Sequence, residues 1–332
     1  MKYNFKEKKD IERIKKISLT KYDFIILGSG PAAVTLSNKL ISISKNIAKI
    51  LIIERGDVIK REYKKIFDRS LPIKLNSRVF SIGGSSNEWA NISSYFEKFE
   101  MEARWEKNNK NLWPLSHKEL IYYYEKLNKK YGFGYERLVK KNLKLPFEIR
   151  QFIIRNSPMK FQNLINFKKI DLIYNCEIKS IDDFANSTYA FTKKKDFFFI
   201  AKKLIVCCGG IETVNLILNS LKSKKLKNMK NKKLVGRYFM NHPKLDLGFL
   251  MYPKTNLIKK LLLTNYNNFS SYYGISLDQK TQKNFNMLNT YIRFERAYSK
   301  VTKFLTSFKS PLINNLLRKK NRYFYKIRLF CE

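Results

Sequence analysis

The sequence predicts an α/β protein. Three observations carry that class. The first 56 residues spell a buried strand, a glycine-rich turn, a helix, a second buried strand and an acid. A second strand–Gly-Gly–helix unit recurs near residue 204. Short alternating runs between residues 170 and 206 add strands, and beyond 245 the pattern loosens into short strands and turns.

The elements follow in chain order. Residues 1–20, MKYNFKEKKDIERIKKISLT, are charged throughout and read as a basic, solvated lead-in helix or tail. Tyr22-Asp23-Phe24-Ile25-Ile26-Leu27 is a short apolar run rich in β-branched residues, the mark of a parallel strand buried on both faces. Gly28-Ser29-Gly30-Pro31-Ala32-Ala33 turns the chain, and Val34, Leu36 and Leu40 then fall on a helical stripe. Ile50–Ile53 reads as the next strand and ends at Glu54. Residues 76–95 form a turn-rich loop around Gly83-Gly84-Ser85-Ser86. Ser116 and Glu119 make a capping-box pattern opening a helix. Leu120, Tyr123, Tyr124 and Leu127 are its expected buried face. Leu204–Cys208 is a strongly apolar strand ended by Gly209-Gly210, with a helix from Ile211 to Leu221. Residues 222–233 read as a basic loop.

Composition narrows the class. The chain has 332 residues, enough for about two domains. Hydrophobic residues at 44% exclude a disordered chain. No run of about 18 apolar residues is present, so no helix is expected to span a membrane. The lead-in lacks the apolar core of a secretory signal. Cys176, Cys207, Cys208 and Cys331 form no C-x-x-C pair. Reduced thiols in a cytoplasmic protein are therefore expected, as buried filler, with no disulfide framework and no metal site.

The formal charge is +40, from 67 Lys+Arg against 27 Asp+Glu. Such a charge invites a nucleic-acid or membrane-surface reading. Only 15 of the basic residues are arginine, the side chain that forks onto bases and phosphates. The lysines are spread along the chain, together with many Asn, Ile, Phe and Tyr, as an AT-rich coding sequence would give. Compositional drift is the preferred reading, a basic patch for an anionic partner the second, and nucleic acid is not expected.

The glycine-rich turn points to a dinucleotide. Gly28 permits the tight turn, and Gly30 lets the backbone approach a pyrophosphate at the helix start. Ala33, where a third glycine often stands, is small enough for helix–strand packing. Glu54 lies 24 residues past Gly30, where an acid reaches ribose hydroxyls and disfavours a 2′-phosphate. The loop Gly83-Gly84-Ser85-Ser86 is rich in backbone donors able to lie against phosphate or a ring edge.

Taken together, the motifs resemble the glucose–methanol–choline (GMC) family of FAD-dependent oxidoreductases. The resembling segments are YDFIILGSGPAAVTLSNKL (22–40), LIIERG (51–56), SIGGSSNEWAN (81–91), WPLSHKELIYYYE (113–125), KLIVCCGGIETVNLIL (203–218) and VGRYFMNHP (235–243). The resemblance implies a Rossmann-like FAD/NAD(P)-binding domain from residues 21–100 and 170–245. It also implies a mixed helical segment at 101–169 and an incomplete antiparallel-sheet substrate domain from 246 to 332. It implies FAD contacts from Gly28, Ser29, Gly30, Pro31, Ala32, Ala33, Glu54 and Arg55. Gly83, Gly84, Ser85, Ser86, Asn87 and Trp89 are implied along the flavin, with Ile178, Cys208 and Gly209 completing the set. Glu88 stands where some relatives carry a flavin-linking His, so non-covalent FAD is expected.

In this family a His takes the proton of a substrate alcohol or sugar while hydride goes to flavin. That His follows a segment this chain does not reach, because Tyr325–Glu332, YKIRLFCE, resembles the strand just before it. His117 and His242 match other positions, so no catalytic residue is assigned. The expectation is an incomplete oxidoreductase for CH–OH donors. The alternative is a non-catalytic flavoprotein-fold subunit that pairs, through an open strand edge ending at Cys331, with a complementing chain.

Overall fold

The computed structural model describes residues 1–58, 62–63, 78–89, 91–101, 113–132, 140–142, 146–155, 159–184, 187–193, 197–221, 226–240, 242–251, 264–266, 269–297 and 324–331. The chain opens with β1 (Lys2–Asn4), α1 (Lys8–Ser18), β2 (Lys21–Leu27), α2 (Pro31–Ile43) and β3 (Ile50–Ile53), then the short β4 (Glu62–Tyr63) and β5 (Val79–Phe80). Next come β6 (Ile92–Ser93), α3 (His117–Tyr131), β7 (Lys140–Asn142) and β8 (Phe147–Arg155). β9 (Ile170–Tyr174), β10 (Ile178–Phe184), β11 (Ser187–Thr192), β12 (Phe198–Val206) and α4 (Gly209–Ser220) follow. The chain continues with β13 (Lys244–Met251), β14 (Thr264–Tyr266), β15 (Phe269–Leu277), α5 (Gln279–Asn284), β16 (Thr290–Ala297) and β17 (Phe324–Cys331). Two compact units result, one from 1–89 with 159–239, the other from 90–158 with 240–332.

The first unit is an α/β layer structure. Its sheet has the order β1-β9-β3-β2-β12-β11-β10. The strands from β1 to β12 pair in parallel, and β12, β11 and β10 form an antiparallel meander. Successive side chains of a strand point to opposite faces. On one face Ile25, Leu27, Leu51, Ile53 and Ile173 pack with Ile14 and Ile17 of α1 and Leu216 of α4. Ile26, Ile50, Ile52 and Leu172 point to the other face and are equally buried. α2 packs against β2 and β3 there.

Several sequence expectations change here. Residues 1–18 are not merely a solvated lead-in. Ile14 and Ile17, one turn apart, are an apolar stripe narrow enough to hide among lysines, and both are buried in the core. β1 adds a parallel edge to the sheet, with Tyr3 opposite Ile173. In α2 the buried positions are Ala33, Val34, Ser37 and Ile41, whereas Leu36 and Leu40 are only partly covered. The helix begins at Pro31, and that phase turns 34, 37 and 41 inward. Gly209 and Gly210 do not end a strand; they form the first turn of α4, and β12 stops at Val206. The basic loop 222–233 is described only from residue 226; Asn76 and Ser77 of the turn-rich loop, and Ala90, Asn241 and Glu332 of the quoted segments, lie outside the described residues.

The second unit is built on an antiparallel sheet of order β13-β17-β16-β15-β8-β6, with β14 beside β15 and β7 beside β8. Phe152, Tyr291 and Phe330 form its aromatic cluster, the last two stacked at 5.0 Å. The segment expected as mixed and helical holds α3, and also β8, which pairs with β15 along nine residues. α3 has the expected capping box, with Ser116 N–H donating to Glu119 Oε2 at 2.8 Å. Its C-cap Gly132 is left-handed at φ 64°. The expected buried face is not found: no residue of α3 is buried, Leu120, Tyr124 and Leu127 are only partly covered, and Tyr123 is 52% exposed. β17 is not an open edge: it is hydrogen-bonded to β13 on one side and β16 on the other.

Candidate functional site

The parallel strands place the glycine-rich turn at a defined point. From β2 the chain passes through α2 to β3 on one side, while β12 lies on the other side of β2. The carboxyl ends of β2 and β12 therefore flank a topological switch point, where open α/β sheets bind ligands. Both strands run straight into a helix there, β2 into α2 and β12 into α4.

The two turns touch. Gly28 has φ +92°, and a Cβ on it would stand 2.5 Å from the Cys207 carbonyl oxygen. Only glycine fits, because the obstacle is backbone. Cys208 caps the start of α4, and its thiol donates to the Leu27 carbonyl at 3.4 Å. Burial, with the Glu54 charge adding to it, pushes that thiol up to about 12. Ile178, the first residue of β10, packs on the same core.

Glu54 is buried at the end of β3 and gathers the turn. Its Oε2 accepts from the Ser29 N–H at 2.9 Å and the Ser29 hydroxyl at 2.7 Å, and its Oε1 accepts from the Gly56 N–H at 2.8 Å. Burial pushes the carboxyl up from its ordinary value, against the pull of these donors. The Ser29 Oγ also accepts from the Gly83 N–H at 3.1 Å, so one hydroxyl links the acid, the first turn and the second glycine loop. A carboxylate has about four lone-pair sites. Reaching both ribose hydroxyls thus requires the Ser29 hydroxyl to turn away.

The second loop is a one-turn helix, Gly84–Asn87, entered through left-handed Gly83 and Gly84. It lies directly on the first turn: a Cβ on Gly84 would meet the Gly30 Cα at 3.2 Å. Ser86 is buried, donating to the Gly83 carbonyl at 2.6 Å and accepting from the Phe161 N–H at 3.2 Å. Ser85 is exposed. Asn87 donates to Ser81 Oγ and the Ile82 carbonyl, and its Oδ1 is a buried acceptor with no donor among the described residues. The Trp89 indole donates to the Met159 carbonyl at 3.2 Å, which ties the loop down.

The residues fit a dinucleotide. α2 starts at Gly30 with Pro31 in its first turn and no side-chain cap, leaving the N–H groups of Ala32 and Ala33 without a side-chain partner. Nothing lies within 4 Å of the point where a Gly30 Cβ would stand, nor at Gly209 or Gly210 at the α4 start. These are cradles that a side chain would fill.

Sequence reasoning did not foresee the charged cluster beside this crevice. Arg55 lies over the Phe80 ring at 4.4 Å and pairs with Glu177 at 3.4 Å and Glu212 at 3.7 Å. Glu212, in the first turn of α4, also takes Arg78 at 2.6 Å. Arg78 and Glu212 are 134 residues apart, so no local signal joins them. Of the two histidines, His117 has its Nε2 3.1 Å from the Phe96 carbonyl oxygen, and His242 is exposed.

No family model and no curated protein matches the chain. Solved structures similar to it include a formate oxidase from Aspergillus oryzae RIB40, in a variant studied for FAD modification. That likeness has 14% identity and a TM-score of 0.47, covering 94% of this chain and 73% of the other. A fungal aryl-alcohol oxidase is similar over 59% of this chain at 11% identity and a TM-score of 0.38. A pyridoxine 4-oxidase from Mesorbium loti is similar over 60% at 12% identity and the same score. The chain spans about half the length of the last two, 47% and 52%.

Proposed function

We propose that the chain binds FAD non-covalently and belongs to a GMC-type oxidoreductase acting on the CH–OH group of an alcohol or sugar. One observation carries the reading: the uncapped start of α2 at Gly30, open where a Cβ would stand, lies against Gly84 of the second glycine loop. Two donor-rich loops that meet at a switch point suit a pyrophosphate joined to a second ring system. FAD, when bound, supplies the two-electron acceptor for hydride.

The chain's own residues bind and orient. Gly28, Ser29, Gly30 and the Pro31–Ala33 turn would hold the pyrophosphate through backbone N–H groups. Glu54 would take ribose hydroxyls once Ser29 releases it, and Arg55, Ile178, Cys208 and Gly209 would border the nucleotide. Gly83–Asn87 and Trp89 would lie along the flavin, with the Asn87 Oδ1 ready to accept an N–H. Glu88, a carboxylate, cannot form a histidyl–flavin bond. The proton acceptor is assigned to no residue of this chain.

The test is the visible spectrum of the purified chain after incubation with FAD. Wild type should hold one FAD per chain and release it on denaturation. Gly30→Ala should hold none, while its thermal midpoint and circular dichroism stay close to wild type. Failure of wild type to take up FAD, or full uptake by Gly30→Ala, would overturn the proposal.

A further inference from the structure

The end of the first unit's sheet away from Gly30 carries a second surface. The α1–β2 turn, the α2–β3 loop and the segment before β9 border one open cavity of about 460 Å3. Lys16, Tyr22, Ile47, Lys49, Lys168 and Lys169 are among its lining residues. These loops lie at the amino-terminal ends of β2, β3 and β9, opposite the carboxyl ends that flank the glycine turns.

The charge of this surface is one-sided. Lys16, Lys21, Lys45, Lys49, Lys168 and Lys169 are all exposed. The nearby acids are engaged: Asp171 by the Tyr22 hydroxyl at 3.0 Å and the Met1 ammonium at 3.2 Å, Asp23 by Lys202 at 2.7 Å and the Lys49 N–H at 2.8 Å. Glu12 is held by Lys15 at 2.7 Å. Lys16 lies in the last turn of α1, where a cation answers the helix dipole. Lys168 and Lys169 follow no α-helix, so that explanation does not extend to them.

Three branched aliphatic side chains stand out among these lysines. Ile47 is 80% exposed, Leu19 79% and Ile43 61%. Aliphatic tips ringed by ammonium groups match the two layers of an anionic bilayer surface, charged headgroups over an apolar boundary. A nucleic acid would call for arginine forks or exposed rings, and the cavity lining has no arginine and a buried tyrosine as its one ring.

We propose that this end of the first unit docks on anionic phospholipid bilayers. Leu19 and Ile47 enter the boundary below the headgroups, and Lys16, Lys49, Lys168 and Lys169 hold headgroup phosphates and carboxylates. The inference does not depend on the dinucleotide reading.

The test is co-sedimentation of the full chain with phosphatidylcholine vesicles, with and without phosphatidylserine. Wild type should sediment with the phosphatidylserine vesicles only. Lys168→Glu/Lys169→Glu and Leu19→Ser/Ile47→Ser should each lose about tenfold or more in partitioning. All four side chains are exposed, so circular dichroism should be unchanged. Lys129→Glu/Lys130→Glu, a charge reversal on α3, should bind as wild type. The proposal fails if wild type ignores the phosphatidylserine vesicles, or if the α3 reversal costs as much as that at 168 and 169. It fails equally if the aliphatic variant binds undiminished, or if single-stranded RNA displaces the vesicles through Lys168 and Lys169.

Discussion

Ser29 and Glu54 decide how the first turn is held. Glu54 is legible in the sequence as an acid closing an apolar strand, and the 24-residue spacing from Gly30 identifies its neighbourhood. That its carboxylate is taken by the Ser29 hydroxyl and N–H is not legible, because a contact across 25 residues depends on the fold bringing two strand ends together. Burial raises the Glu54 carboxyl above its ordinary value of 4.5. A group held above its unfolded pKa gives stability that is complete below the unfolded value and lost as pH rises through the folded one. The comparison with Glu54→Gln isolates this, since acids held low, such as Asp23 by Lys202, act alike in both chains. The stability of wild type relative to Glu54→Gln should therefore fall as pH rises from about 4.5, by at most about 1.4 kcal/mol per pH unit. Urea unfolding at a series of pH values checks it. A relative stability that rises instead would mean that the Ser29 and Gly56 donors outweigh burial.

At the scale of elements, the two glycines of one motif separate into different roles. The sequence shows both as turn glycines of a strand–turn–helix unit, and the strand, turn and helix all form where read. Their distinct duties come from packing against β12, which lies about 175 residues further along the chain and leaves no trace in the motif itself. Gly28 is left-handed and pressed on the Cys207 carbonyl, whereas Gly30 has φ −72° and open space. Gly28→Ala combines positive-φ strain with a backbone clash and should cost at least about 2 kcal/mol in the unfolding of the ligand-free chain. Gly30→Ala changes an N-cap from glycine to alanine and should stay within about 1 kcal/mol of wild type. Equal losses in the two would show that neither reading of the turn holds. The same limit explains β8 and β17. β8 buries Glu148 and Arg150, paired at 3.1 Å, and so disguises its inward face as polar. β17 is expected as a strand from the resemblance of Tyr325–Glu332, but nothing in its eight residues says that it has two neighbours.

For the whole molecule the open quantity is charge. The α/β class and the first strand–turn–helix–strand unit follow from local patterns, whereas the sheet order, and with it the switch point between β2 and β12, interleaves segments from both halves of the chain and is beyond them. The excess of 67 basic over 27 acidic residues has a consequence for stability that can be measured directly. Two effects oppose each other as salt is added. Screening weakens ion pairs, which destabilises the fold, and weakens repulsion between like charges, which stabilises it. The best-shielded pairs, Arg78 with Glu212 and Arg150 with Glu148, have side chains at most 14% exposed, so salt reaches them little. Exposed pairs contribute only about 0–1 kcal/mol each. With 27 acids available, at least 40 cations have no acid of their own, and their repulsion acts through solvent, where screening is strong. The thermal midpoint should therefore rise as sodium chloride goes from about 10 mM to about 150 mM, as the Debye length falls from about 30 Å to about 8 Å, and then level off. Chloride is the right counter-ion, because sulfate would add an exclusion effect of its own. A midpoint that falls over the same range would place the fold's electrostatics in its exposed ion pairs, and the lysine excess would then cost the folded chain nothing that its unfolded state does not also bear.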